Sequence, residues 1–446
     1  MKVSVIGTGY VGLVTGICLA EKGHTVYCVD LDAGKIALIN QGKSPVHERG
    51  LEDLLIKNRA KQFFATTDLK DAVEKTDISI IAVGTPFDGQ NINLSFVKEA
   101  SRQIAEVLKD KESYHTVIVK STVIPGTTDD IVAPILSRFS EKEIGQGFGL
   151  GMNPEFLREG TAVDDFMHPD RFVLGASDAK TLSQMKELYS VFEGVDLICT
   201  NNKTAELIKY SANALFAVLI SFTNEMANLA TDIKGVDIKE VMRGVHSDRR
   251  LSPMGPDGKR IRPGMLSYLE AGCGFGGSCF PKDLKALAAF GRLAQQPMVL
   301  TEAAIQINAS QPLRMLQMLK KHFPDLRAQK IAVLGVSFKP NTDDIRESPA
   351  IPLVNHLIQE GSIVKVYDPL AQDNFKRSIH HANVHYCQTL QEAILDVTAV
   401  VLVTAWDEFS KLPGLLDEGK AQPLVIDGRR FFDKHAFKYY EGIGCS

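Results

Sequence analysis

A chain of 446 residues, with 44% hydrophobic and 23% charged residues, has a globular composition and is too long for a single core, so two or three domains are expected. The small net charge of −4 lacks the basic footprint of a nucleic-acid or membrane-surface binder. Seven cysteines, at 18, 28, 199, 273, 279, 387 and 445, are odd in number and without ligand spacing, which argues against a disulfide framework or a metal site and fits a reducing cytoplasm. In chain order, Lys2–Ile6 is a β-branched strand, followed by G-T-G-Y-V-G (Gly7–Gly12), a helix running to about Gly23 and a second strand, Thr25–Val29, that ends on Asp30. Four glycines punctuate the apolar run to Ala20, so it is not read as a signal peptide, and no uninterrupted apolar stretch reaches bilayer length.

Strand, glycine loop, helix, strand and acid make up a dinucleotide fingerprint. Gly7, Gly9 and Gly12 allow a tight turn and close pyrophosphate approach, the helix N-terminus faces the phosphates, and Asp30 is placed for the ribose hydroxyls. An acid at this position favours NAD over NADP, and Lys35 either lies on the adenosine side or is solvated. Strands over Ile78–Val83 and Thr116–Val119 exit as G-T-P and K-S-T-V-I-P-G, where Thr85 and Thr122 either cap turns or meet ligand. The loop M-N-P-E-F-L-R-E-G (152–160) offers Glu155 and Glu159, which without further context read as solvated acids.

A helix over Thr204–Lys234 has a long apolar stripe, sets Lys209 and Asn213 on one face, and serves as a dimer interface or an internal spine. The turn-rich segment Arg249–Gly264 carries five cations, one or two of which suit phosphate contact. Next comes G-F-G-G-S-C-F-P-K-D (Gly274–Asp283). Its glycines let a ligand approach the backbone, and Lys282 lies near Cys279, which reads either as a thiolate nucleophile or as a buried thiol. After an amphipathic stretch ending near Pro324, Lys330–Leu334, G-V-S-F-K-P, a helix near Ile351–Gln359 and a strand ending at Tyr367 repeat the α/β pattern. Later strands are expected at Val400–Thr404 and Leu424–Ile426, and Lys339 in the degenerate loop argues against a second dinucleotide.

With G-T-G-Y-V-G, V-G-T-P, K-S-T-V, N-P-E-F-L-R-E-G, A-E-L-I-K-Y-S-A-N, G-F-G-G-S-C-F-P-K-D and G-V-S-F-K-P followed by R-E-S-P, the chain resembles the nucleotide-sugar 6-dehydrogenases, the UDP-glucose and GDP-mannose dehydrogenase family, nearly end to end. The expected fold is α/β, with two doubly wound Rossmann-like domains joined by a long central helix and helical segment. Residues 1–199 would bind NAD, 200–324 would dimerise and carry the catalytic loop, and 325–446 would bind the nucleotide sugar. The resemblance implies four-electron oxidation of a sugar CH2OH to a carboxylate through a thiohemiacetal and a thioester on Cys279, with UDP-glucose preferred and GDP-mannose the alternative.

By the same resemblance, Lys209 would offset alkoxide charge, Asn213 would donate to the oxyanion, and Glu155 would orient or deprotonate a water held by Thr122 and Asp283. Substrate contacts are implied at Glu155, Phe156, Leu157, Arg158, Glu159, Lys209, Asn213, Tyr268, Leu269, Glu270, Ala271, Gly272, Gly276 and Lys339, together with Arg260 or Arg262. Cofactor contacts are implied at Val11, Asp30, Lys35, Thr85, Thr122, Glu159, Lys282 and Arg346. Departures from the family pattern are the long 249–264 segment, Cys273 in place of a small or apolar residue, and Arg49 in place of a proline. A two-electron hydroxy-acid dehydrogenase and a non-catalytic nucleotide-sugar sensor are the rival readings. The first would yield one NADH per turnover, and the second none.

Overall fold

The apolar runs that alternate with helical patterns form strands that, at the centre of each sheet, are buried on both faces, as a parallel sheet covered by crossover helices requires. In the computed structural model, which describes residues 1–417 and 422–445, β1 (Lys2–Ile6) and β2 (Thr25–Val29) occupy the expected positions. They join β3 (Phe63–Thr66), β4 (Ile78–Ile81), β5 (His115–Val119), β6 (Phe148–Met152), β7 (Arg171–Ala176) and β8 (Asp196–Thr200). The order is β3-β2-β1-β4-β5-β6-β7-β8; all pairings are parallel except β6 with β7. The sheet therefore reverses between β2 and β4, on either side of β1, and loops at the carboxyl ends of β1, β4 and β5 open beside that switch point. The helix Tyr10–Glu21 covers it with a face buried from Gly12 to Ala20. Burial of Leu13, Val14, Ile17 and Leu19 contributes about 1.5–3 kcal/mol each.

A second sheet repeats the plan. β9 (Lys330–Leu334), β10 (Ile363–Tyr367), β11 (Val384–Tyr386), β12 (Ala399–Leu402), β13 (Leu424–Asp427) and β14 (Tyr440–Gly442) run in the order β11-β10-β9-β12-β13-β14, all parallel. The fold is thus α/β with two Rossmann-like sheets. The compact units are Met1–Ala212 and Asn213–Ser446, so the division falls inside the helix Asn202–Thr231.

By length and composition that 30-residue helix is apolar enough to cross a membrane. Several of its polar side chains are nevertheless bonded to protein. Glu206 accepts from the N–H groups of Gly126 (2.6 Å) and Thr128 (2.8 Å) within the first unit. Asn224 accepts from the Gly272 N–H, and Asn228 donates to Gln311, within the second.

Candidate active site

In the first unit, the turn after β1 is built for a close-lying ligand. Gly7 has φ +102°, and a Cβ there would lie 2.8 Å from the Ala82 carbonyl oxygen; one on Gly12 would lie 1.9 Å from that of Gly7. At Gly9, which caps the helix, a Cβ would meet nothing within 4 Å, so space is left at the N-terminal N–H groups where a pyrophosphate docks. Asp30 accepts from the Thr8 N–H (2.8 Å), the Thr8 hydroxyl (2.7 Å) and the Asp32 N–H (3.0 Å). Burial would raise its pKa; these bonds and the Lys35 charge hold it below the usual carboxylate range. Val11 and Lys35 are half-buried. The loop fits the dinucleotide the fingerprint implies. Thr85 donates to the Thr122 carbonyl at 2.8 Å, tying the exits of β4 and β5 together.

The 152–160 loop leaves β6 beside these exits, and Glu155 is buried rather than solvated. It forms an ion pair with Lys209 at 3.0 Å, both side chains being 5% exposed, and accepts from the Leu157 N–H at 2.7 Å. Burial alone would raise the Glu155 pKa; the Lys209 ammonium, the Leu157 N–H and the charge of Lys120 bring it below the ordinary value. The Phe156 ring lies under Arg171 (4.1 Å) and Lys209 (5.4 Å), Leu157 is half-buried, and Arg158 is exposed and paired with Asp165. Glu48 pins the loop that carries Glu159, accepting from the N–H groups of Gly160 (2.8 Å) and Ala162 (3.1 Å) and from the Tyr10 hydroxyl. Arg49 beside it faces solvent, and nothing in the structure explains its place where the family commonly has proline.

In the second unit, Cys279 is the N-cap residue of the helix Phe280–Leu293, so its backbone adjoins the positive end of a 14-residue helix, though its side chain makes no capping bond. The thiol is half-buried, with the Ser278 hydroxyl at 3.7 Å. Asp283, 2% exposed, accepts from Asn213 (2.6 Å) and Lys282 (2.5 Å). The loop entering Cys279 is harnessed by side chains. Asn224 takes the Gly272 N–H, Gln311 donates to the Gly272 carbonyl, Arg429 donates to that of Gly274, and Asn308 bonds both the N–H (2.8 Å) and the C=O (2.9 Å) of Phe275. Its glycines are required by neighbours: a Cβ on Gly276 would lie 2.4 Å from the Glu347 carbonyl, and one on Gly277 (φ +84°) 2.8 Å from the Phe338 ring.

Of the remaining candidates in this unit, Tyr268 stacks on Phe216, Leu269 and Ala271 are buried, and Glu270 is exposed. Lys339 lies 5.6 Å from the centre of the Phe338 ring, and Arg346 is paired with Asp344. The Arg260 guanidinium is bound to the carbonyls of Ser247 and Ser252 (3.1 Å), whereas Arg262 is exposed. Cys273 is fully buried with its sulfur 3.5 Å from the Val403 carbonyl, and burial raises its pKa, so it is the inert thiol of the two near the loop. Asp368 ends β10 as Asp30 ends β2, but protein donors saturate it: the N–H groups of Val336, Ser337, Leu370 and Ala371, and the Trp406 indole. A ribose has no free carboxylate oxygen to meet there. The sequence reading missed Lys120, Glu48, Asn224, Asn308 and Gln311, whose partners are distant in the chain.

Comparison with known proteins matches the chain in three successive segments to the UDP-glucose/GDP-mannose dehydrogenase family: the NAD binding domain over residues 1–193, the central domain over 203–310 and the UDP binding domain over 332–434. It is 38% identical to the UDP-glucose 6-dehydrogenase AglM of Haloferax volcanii, over 99% of this chain and 100% of that one. It is 36% identical to a GDP-mannose 6-dehydrogenase of Azotobacter vinelandii, over 99% and 100%. Among solved structures, a UDP-glucose dehydrogenase from Pyrobaculum islandicum superposes with a TM-score of 0.90 at 34% identity, covering 100% of this chain and 98% of the other.

Proposed function

Because the chain belongs to the UDP-glucose/GDP-mannose dehydrogenase family and is an NAD-dependent nucleotide-sugar 6-dehydrogenase, we propose that its substrate is UDP-glucose and that Cys279 carries the reaction to UDP-glucuronate. One observation carries the cysteine reading: it holds the N-cap position of a helix at the end of a loop whose backbone is bonded by Asn224, Gln311, Arg429 and Asn308, an investment in position that an alcohol dehydrogenase alone does not need. NAD, when bound, accepts a hydride in each of the two oxidations. The loop at Gly7–Gly12 and Asp30 holds it, with Val11, Lys35, Thr85, Thr122, Glu159, Lys282 and Arg346 as further contacts.

The roles of the side chains follow from their chemistry. Lys209 offsets the charge of the C6 alkoxide as the alcohol loses its proton, and Asn213, four residues on in the same helix, donates to the oxyanion. The Cys279 thiolate adds to the aldehyde carbon to form a thiohemiacetal. Loss of a second hydride and a proton converts this to a thioester. Water, oriented by Glu155 and held by Thr122 and Asp283, cleaves the C–S bond, releasing the carboxylic acid and restoring the thiol. The loop residues 156–159 and 268–272, with Gly276 and Lys339, contact the nucleotide sugar. Of the two arginines in the 249–264 segment, Arg262 is the better candidate, since backbone carbonyls occupy Arg260.

GDP-mannose is the second reading, supported by relatives named for it. The test is NADH formed per sugar consumed, with each nucleotide sugar, for wild type and Cys279→Ser. Two NADH per UDP-glucose, stalled in the variant, is expected; one per sugar with an unimpaired variant overturns the thioester route. We further read the protein as a cytoplasmic homodimer or higher oligomer. Leu215, Phe222 and Leu229 lie seven residues apart along the long helix and are 54%, 46% and 56% exposed, which suits a helix seam against a second copy. Light scattering of Phe222→Glu should report a monomer, and an unchanged mass would remove this helix from the interface.

A further inference from the structure

Lys120 is a buried cation to which no role has been given. It leaves the carboxyl end of β5 two residues before Thr122 and is 2% exposed. Its Nζ donates to Asn153 Oδ1 at 2.8 Å, and Asn153 leaves the neighbouring β6 two residues before Glu155. Asn153 is itself fully buried and anchored: its N–H donates to Val119 (2.9 Å), its side-chain amide to the Val173 carbonyl (2.9 Å), and Tyr189 donates to the same Oδ1 as Lys120. The contact is therefore a strut between two strand ends, each holding a candidate group two residues further on.

A strut alone does not explain an ammonium. Burying a charge is expensive unless it is compensated, and an uncharged side chain would brace Asn153 at lower cost. The charges acting on Lys120 are those of Glu155, which favours its protonated form, and Lys209, which opposes it; the Tyr189 hydroxyl and the Phe166 ring, 5.8 Å away, complete the surroundings. Burial pulls its pKa down to about 8. Facing one carboxylate, two lysines leave the cluster with a net positive charge, which favours an anion forming beside it.

We propose that Lys120 is a positioning residue for this reaction: its charge, held in place by Asn153, acts through Glu155 by supporting the Glu155 carboxylate alongside Lys209. The inference rests on the Glu155 carboxylate as the group proposed above to orient the hydrolytic water. In the test, the pH dependence of NADH formation at saturating UDP-glucose is followed across about pH 3.5 to 9 for the full-length wild type, Glu155→Gln, Lys120→Gln and Lys120→Arg. Lys120→Gln still donates to Asn153 but carries no charge; Lys120→Arg keeps the charge. The acidic limb should vanish in Glu155→Gln, move up by about one pH unit in Lys120→Gln, and stay near the wild-type position in Lys120→Arg. Turnover in Lys120→Gln should fall about tenfold, with the sugar KM changing less than about threefold. A limb lost in Glu155→Gln but unmoved in Lys120→Gln overturns the role of Lys120 and leaves that of Glu155 standing. A limb that survives in Glu155→Gln removes Glu155 itself.

Discussion

Replacing Lys209 by methionine tests the central electrostatic feature of the first unit. The ammonium is 3.0 Å from Glu155 and both side chains are 5% exposed, so the substitution strips a buried carboxylate of its nearest counter-charge. Breaking one side of such a pair costs about 3–5 kcal/mol. Here the lower end is expected, about 3 kcal/mol, because the Leu157 N–H at 2.7 Å and the Lys120 charge still serve Glu155. The sign of the pH dependence gives a sharper reading. In the wild type the Glu155 pKa lies below its ordinary value of 4.5, so its stability contribution is present above that pH and is lost as pH falls through the folded-state pKa. Without Lys209 burial dominates, the folded pKa rises above the unfolded one, and this contribution turns into a loss as pH increases past about 4.5. Urea midpoints measured near pH 5 and pH 7.5 should therefore diverge between wild type and Lys209→Met, and Lys209→Met/Glu155→Gln should recover about 1–3 kcal/mol of the deficit. A single variant that keeps the wild-type pH slope, with a double variant no better than additive, would refute the reasoning.

Asn308→Ala removes both side-chain bonds to the Phe275 backbone, at 2.8 and 2.9 Å, and should cost about 2 kcal/mol of stability in urea. Turnover should fall by about ten- to a hundredfold, with a smaller change in sugar KM, because the loop that carries Cys279 loses its clamp. Lost stability with unchanged turnover would make the amide a structural tie only. Cys273→Ala should leave the NADH yield per sugar unchanged, because that thiol is fully buried, and cost about 1 kcal/mol for the missing sulfur. A halved yield would assign it chemistry.

Local pattern was enough for the first dinucleotide-type unit and for the start of the second. β1, β2 and β9 lie where their β-branched runs put them, because strand formation there is written in consecutive residues. Gly7, Gly12, Gly276 and Gly277 stood out in the sequence as glycines that admit a ligand, whereas the atoms the fold brings against them are those of Ala82, Gly7, Glu347 and Phe338. Tertiary structure decided what proximity alone can decide. Glu155 and Lys209 are 54 residues apart in sequence, and loop acids read as solvated until the fold buries this one against its lysine. The harness on Phe275 and Gly272 comes from helices whose asparagines and glutamine look like ordinary surface amides in the sequence. The second sheet repeats the strand order of the first, yet Asp368 is saturated where Asp30 keeps a half-exposed carboxylate. Cys273 and Cys279, six residues apart, were separated into an inert and an accessible thiol only by burial. A side chain's composition sets what chemistry it can do, but its desolvation and partners, which determine whether it does so, come from residues the chain brings together only on folding.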